Sequence, residues 1–237
     1  MKTLQLSPTL YRREQEEFLL RPASSADAPA LAELKRAVWP DEESDPRHMA
    51  GVLTAEDHLT VVAETAGRLV GFLDNFITRP PTGERWEVDL LGVHPSYRGR
   101  RIAEVMVRAS LLVAPSIPAR ALIQTGNIAS QTTFSRCGFS CAEPIQRLYV
   151  CSEGYLQPAQ PSPQAVCLFV NTLNYAGYWL EKSFTIADLQ AARGKIKNGE
   201  ADLAGAVIPA NQTDDCQNAG QCGYQFIAEY QWWERNA

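Results

Sequence analysis

The stretch Trp86–Val113 constrains the fold of this chain most tightly. It opens with the β-rich run W-E-V-D-L-L-G-V, passes through H-P-S-Y-R-G-R-R, and continues as I-A-E-V-M-V-R-A-S-L-L-V with apolar residues at helical spacing. A strand that feeds a tight turn and then a helix must bury one face of that helix on a sheet, which is the logic of an α/β layer.

The alternation continues on both sides. After a polar leader, Phe18–Arg21 reads as a strand ended by Pro22. Ala28–Val38 reads as a helix started by Ser25 and Asp27 and closed by Pro40. Pro46–Leu53 reads as a short second helix, and Leu59–Ala63 with Leu69–Ile77 as a hairpin across Ala66-Gly67. The helix from Ile102 ends before Pro115 and Pro118. Ala121–Thr125 is then a strand and Ile128–Cys137 a helix stopped at Gly138, with a strand expected after Phe139. This order predicts a mixed α/β (α+β) central sheet flanked by helices over residues 1–154.

A linker-like stretch containing Gln157, Pro158, Pro161 and Pro163 follows. Beyond it, Ala165–Leu173, Tyr178–Leu180, Leu203–Ile208 and Tyr224–Trp233 read as strands and Ile186–Ile196 as a helix. They predict a smaller α/β extension over 155–237, in which the recurring strand–helix–strand order leaves a degenerate partial copy of the first unit open. Its aromatic residues, among them Tyr175, Trp179, Tyr230, Trp232 and Trp233, suit a core, an interface or the lining of an acceptor pocket.

Composition narrows the function. The formal net charge of -5 argues against attraction to nucleic acid or an anionic membrane. No apolar run reaches the length of a membrane span, and the N-terminal segment lacks the apolar core of a secretory signal, so a cytoplasmic protein is expected. None of the six cysteines forms a C-x-x-C pair, and with three histidines so dispersed no metal is expected. Cys216 and Cys222 flank an expected polar loop, and their pairing is left open.

Within the turn, Gly99 lets the backbone bend and approach a ligand closely. The first N–H groups of the following helix lack intrahelical partners and favour negative charge. Arg98, Arg100 and Arg101 add forked donors, so the turn suits a pyrophosphate, with a solvated basic turn as the bland alternative. Neither G-K-[ST] nor G-x-G-x-x-G is present, which removes two other phosphate-binding loops.

Two further segments, W-E-V-D-L-L-G-V-H-P before the turn and N-I-A-S-Q-T-T-F-S-R-C-G-F after the next strand, complete a pattern. Here the chain resembles the GNAT superfamily of acetyl-coenzyme-A-dependent N-acetyltransferases, through Val93 and Pro95, Arg98 and Ala103, and Asn127, Gly138 and Phe139. The resemblance covers roughly Phe18–Cys151. It implies that Leu91, Gly92 and Val93 take the pantetheine arm along their backbone. It implies that Arg98, Gly99, Arg100, Arg101, Ile102 and Ala103 take the pyrophosphate, with Asn127 close to the pantetheine.

Two positions depart from the family's pattern. Arg101 replaces the motif's middle glycine. Phe134 stands where a tyrosine often protonates the departing thiolate, keeping the packing and losing the hydroxyl donor. The resemblance also implies a carboxylate base on the strand before Val93. Alternation places Glu87, Asp89, Leu91 and Val93 on one face, so Glu87 and Asp89 both qualify, with Glu87 the first choice. The expected reaction is direct transfer of acetyl from acetyl-coenzyme A to the primary amine of a small molecule or peptide, without a metal. A non-catalytic acyl-coenzyme-A-binding or interaction protein is the alternative. Homodimerisation is common among such relatives.

Overall fold

The computed structural model describes residues 4–13, 16–114, 116–155, 161–162, 165–181 and 183–237. Pro115 and three residues of the linker-like stretch, Gln157, Pro158 and Pro163, lie outside them. Along the chain run β1 (Thr9–Arg13), β2 (Glu16–Pro22), α1 (Ala28–Val38), α2 (Pro46–Val52), β3 (His58–Thr65), β4 (Arg68–Thr78), β5 (Arg85–Val93), α3 (Ile102–Val113), β6 (Ala119–Gln124), α4 (Ile128–Arg136) and β7 (Ser140–Cys151). The extension adds β8 (Val166–Asn171), β9 (Ala176–Glu181), α5 (Ile186–Lys197), β10 (Leu203–Pro209), α6 (Thr213–Gln221) and β11 (Gln225–Arg235).

Two expectations are corrected. The polar leader supplies β1, which pairs antiparallel with β2 from Thr9↔Leu20 to Arg13↔Glu16. The expected polar loop is α6, whose inner side buries Cys216 and Ala219. Cys216 and the following Cys222 are both free thiols in an apolar cluster with Leu189, Ile208 and Tyr224, so the two do not pair.

Each helix covers the sheet with its apolar stripe. Ile102, Met106, Val107 and Leu111 of α3 pack against Phe18, Val61, Leu73, Trp86 and Val88. On the other face, Leu31 and Leu34 of α1 join Met49, Val62 and Phe72. Close packing explains Gly92: a Cβ there would lie 2.4 Å from the Phe72 ring, an overlap that costs roughly 1–3 kcal/mol in a packed core.

All eleven strands belong to one sheet, in the order β1-β2-β3-β4-β5-β6-β11-β7-β10-β9-β8. Among the described residues, only β5–β6 and β9–β10 are parallel pairs. The extension is therefore not a separate layer. Strand β11 enters between β6 and β7, pairing Tyr230↔Gln124 through Arg235↔Ala119 on one side and Gln225↔Val150 through Glu234↔Ser140 on the other. Outward from the β11–β7 pair the sheet repeats itself, with β6, β5 and β4 on one flank and β10, β9 and β8 on the other. Both α4 and α6 end in a Cys-Gly-aromatic triplet, Cys137-Gly138-Phe139 and Cys222-Gly223-Tyr224, with the glycines at φ +85° and +83°. Each glycine supplies the left-handed residue that stops its helix.

The turn between β8 and β9 is fastened to the first half. Leu173, 2% exposed, inserts into the cluster under α1 and α2. Its N–H donates to Asp74 Oδ2 at 3.2 Å, and His48 Nε2 lies 2.8 Å from the Thr172 carbonyl oxygen. Asp74 is itself buried, accepting from Thr60 Oγ1 at 2.7 Å with His58 Nε2 at 2.5 Å. Burial pushes the His58 pKa down, but the charge of Asp74 outweighs it and leaves the imidazole above its ordinary value. These contacts set Tyr175 over the middle of the sheet.

Candidate active site

Strands β5 and β6 pair only at Trp86↔Ala119 and Glu87↔Arg120 and then part. A cavity of about 440 Å³ opens at that fork, lined by Val88–Leu91 on one arm and Ala121–Gln124 on the other. Beyond Glu87 the β5 edge facing β6 makes no ladder pairs, so its backbone groups there can accept an added extended chain.

The fork is coupled to an irregularity in β5. Its pairing with β4 shifts register between Leu73↔Leu91 and Asn75↔Val88. One extra residue on β5 ends the strict alternation there. Trp86, Val88, Leu91 and Val93 consequently face one core, whereas Leu90 packs with the other. The expectation that Glu87 shares a face with Leu91 and Val93 is thus corrected.

At the end of β5 the chain turns through Gly99 at φ +79° and Arg101 at φ +60° into α3. The left-handed conformation of Arg101, unusual for a residue with a Cβ, makes it the residue from which α3 starts. Its side chain is exposed, and no side chain caps the helix. The amides of Ile102 and Ala103 in this first turn are thereby left for an anion. Arg98 Nε donates to the Val93 carbonyl at 3.2 Å, and Arg100 Nη2 donates to that of Ser96 at 3.2 Å. Arg100 also pairs with Glu16 and lies 4.8 Å from the Tyr97 ring centroid, which holds the turn against β2. His94, half-buried, accepts from Ser96 N.

The two candidate carboxylates meet different fates. Glu87 is buried and fully engaged: Arg120 Nε donates to its Oε1 and Oε2 at 3.0 and 2.8 Å, and Thr78 donates to Oε1. Arg120 also clamps Glu181 of β9, which Arg85 Nη1 meets at 3.1 Å, and its guanidinium lies 3.8 Å from the Trp232 ring centroid. Burial alone would raise the Glu181 pKa, but the hydrogen bonds and charge of Arg120 hold it below the usual value. Asp89 instead faces the cavity, open to solvent through it yet surrounded by protein. Burial pushes its pKa up to about 7, with the charges of Asp74 and Glu87 adding to the rise and His58 opposing it.

Asn127 N-caps α4, its side chain accepting from Ser130 N at 3.1 Å, and lies at the cavity. Phe134 also lines it, 2% exposed and edge-on to Phe139 at 5.0 Å between ring centroids. The opposite wall comes from the extension, through Tyr175, Trp179, Tyr230 and Trp232. Glu87, Asp89, Leu91, Asn127 and Phe134 therefore meet at one cavity, whereas Gly92, Val93 and Arg98–Ala103 do not line it and lie further along the chain, at the end of β5 and in the turn into α3. Arg120, Glu181 and Thr78 carry no local sequence signal, because their role depends on strands distant in the chain.

A family model described as "Acetyltransferase (GNAT) family" matches residues 24–139. A GCN5-related N-acetyltransferase from Sphaerobacter thermophilus shares the fold at TM-score 0.60 and 13% identity, over 92% of this chain and 95% of that one. A protein from Pyrococcus horikoshii assigned to the acetyltransferases aligns at TM-score 0.63 and 11% identity, over 96% and 92%. A tandem GNAT protein from the clavulanic acid biosynthesis pathway aligns at TM-score 0.58 and 11% identity, over 92% and 98%. At such identities the likeness is one of fold. No curated protein sequence matches.

Proposed function

We propose, from the match of residues 24–139 to the GNAT acetyltransferase family model, that the chain moves acetyl from acetyl-coenzyme A directly to a primary amine at the β5–β6 fork. The observation that carries this reading is the place of Asp89, a carboxyl that faces the cavity at the fork without a salt-bridge partner among the described residues, where its surroundings push its pKa up to about 7. An amine is protonated at neutral pH and must lose a proton before it can attack a thioester. A base poised near the working pH does this best.

The chain's residues divide the work. The first-turn amides of α3, with Arg98 and Arg100 beside them, suit the pyrophosphate, and Arg101 extends away from the backbone it starts. The free edge of β5 from Val88 to Val93 suits the pantetheine arm, with Asn127 nearby. Asp89, rather than Glu87, takes the ammonium proton; the neutral nitrogen then bonds to the acetyl carbon as the carbon–sulfur bond breaks, and its second proton passes to water. Glu87 is the anchor that Arg120 holds, and it sets the field around Asp89. Phe134 offers no proton, so the thiolate takes one from water. The six free cysteines suit a reducing compartment, in keeping with a cytoplasmic site of action.

Asp89→Asn tests this reading. The expected loss is about 10²–10⁴-fold in kcat/KM, the usual contribution of general base catalysis. The wild-type rate should rise as pH climbs through about 7, and the variant should lose that rise. Stability moves the opposite way. Between about pH 4 and 7 the folded protein keeps a proton that the unfolded chain has lost, so wild-type stability falls across that window. Asp89→Asn should therefore raise Tm at pH 8 and leave it unchanged at pH 4. Tight acetyl-coenzyme-A binding with no turnover of any amine would instead favour a non-catalytic acyl-coenzyme-A-binding protein, the reading that Phe134 at the cavity supports.

A further inference from the structure

The far side of the cavity says what kind of amine fits. Four carboxylates line it: Glu42, Glu87, Asp89 and Glu181. Glu87 and Glu181 are matched by Arg85 and Arg120 in a buried two-plus, two-minus cluster. Glu42 pairs with Lys35 at 3.1 Å. Among the described residues, Asp89 is left as the one lining carboxylate without a salt-bridge partner. A ligand with several ammonium groups would find a single uncompensated negative charge and would have to desolvate the rest.

The remaining lining is apolar and aromatic. Tyr175, Trp179, Tyr230 and Trp232 come from the extension, while Trp39 and Phe76 face them from the first half. Burial pushes the pKa of Tyr175 well up, and that of Tyr230 rises for the same reason with the charge of Asp89 adding to it, so both phenols stay neutral. Such a wall gains by covering apolar surface, at about 25 cal/mol per Å², and its ring faces other than the one of Trp232 that Arg120 covers also attract one cation.

Resting on the acetyltransferase reading above, we propose that the acceptor is a small primary monoamine on an apolar or aromatic body, with its ammonium at Asp89 and its body against the wall formed by Tyr175, Trp179, Tyr230 and Trp232. The extension is then the specificity element of the enzyme. The fold of the first half supplies the coenzyme site and the base, and the extension selects what is acetylated.

The test measures thiol release from acetyl-coenzyme A by the intact protein with four probes: phenethylamine, spermidine, an aminoglycoside and a short peptide with a free N-terminus. Phenethylamine should show a kcat/KM at least about tenfold above the others, the discrimination expected of an apolar pocket. Trp179→Ala should raise the KM for phenethylamine about tenfold and leave that for acetyl-coenzyme A unchanged, with Trp179→Phe restoring most of the loss. Tyr230→Ala, on β11 at the same cavity, repeats the measurement should Trp179→Ala not fold.

Preference for spermidine, the aminoglycoside or the peptide would overturn the proposal. So would a Trp179 variant that weakens amine and acetyl-coenzyme A alike, or a protein that binds acetyl-coenzyme A and acetylates none of the four. Failure to bind acetyl-coenzyme A in calorimetry would bring down the acetyltransferase reading itself, and is read separately.

Discussion

The two flanks of the sheet are built alike and equipped differently. Both run hairpin, helix, parallel strand, helix, strand, as β4–β7 and again as β8–β11. In the first, β5 and β6 pair at two positions and separate; in the second, β9 and β10 stay paired from Leu203↔Gly177 to Val207↔Glu181. In the first, the long turn through His94–Arg101 leaves α3 without a side-chain cap. In the second, a short connection brings Thr185 and Asp188 into a reciprocal capping box that seals the start of α5. A coenzyme needs both a parted strand pair and an open helix start, and only the first flank has them. The second flank keeps the frame and supplies a wall.

The strongest challenge to this division falls on the cluster joining the flanks. Arg120→Ala would strand Glu87 and Glu181 in a buried position, which costs about 3–5 kcal/mol when one partner of a buried ion pair is removed. Because β11 pairs with both β6 and β7 and keeps the flanks in one sheet, both should still melt together in a single transition at a lower temperature, measured by circular dichroism and intrinsic fluorescence. Two separate transitions would show that the flanks fold independently.

A smaller change would make the first flank resemble the second. Arg101→Asp places a carboxylate at the start of α3, and aspartate tolerates the left-handed conformation found there. Acetyl-coenzyme A should bind about tenfold more weakly or worse, a loss of about 1.4 kcal/mol, with helix content unchanged in circular dichroism. The mildest change is the reverse experiment. Thr185→Ala removes the cap of α5 and should cost about 1 kcal/mol, lowering Tm by about 2–4 °C without altering acetyl-coenzyme-A affinity.

The sequence reveals the frame better than the site. The helices α1 and α3 begin and end where their apolar spacing indicates, because each has one continuous buried stripe. Strand β1 escapes notice because T-L-Y-R-R is a mostly exposed edge without alternation. Helix α6 escapes because T-D-D-C-Q-N-A-G-Q buries only Cys216 and Ala219. The turn from Arg98 to Ala103 is legible as a glycine turn that opens a helix, since its signal is local. The difference in surroundings between Glu87 and Asp89 is not. It depends on an extra residue in β5, on Arg120 from the next strand and on Glu181 from the far flank. The aromatic residues of the extension are visible in the sequence, but the choice of pocket lining over core or interface is hidden for the same reason, since pairing Tyr230 with Gln124 joins residues from opposite ends of the two flanks.

The placement of β11 between β6 and β7 also has a consequence in time. During synthesis at roughly 5–20 residues per second, β6 and β7 emerge long before the strand that separates them in the finished sheet. A nascent chain can fold its first half only as a sheet with a missing slat, and the two exposed edges are free to pair with each other or with a neighbouring chain. The cavity at the fork thus gains its full wall only when Gln225–Arg235 slides home, so premature termination should yield an open, sticky intermediate.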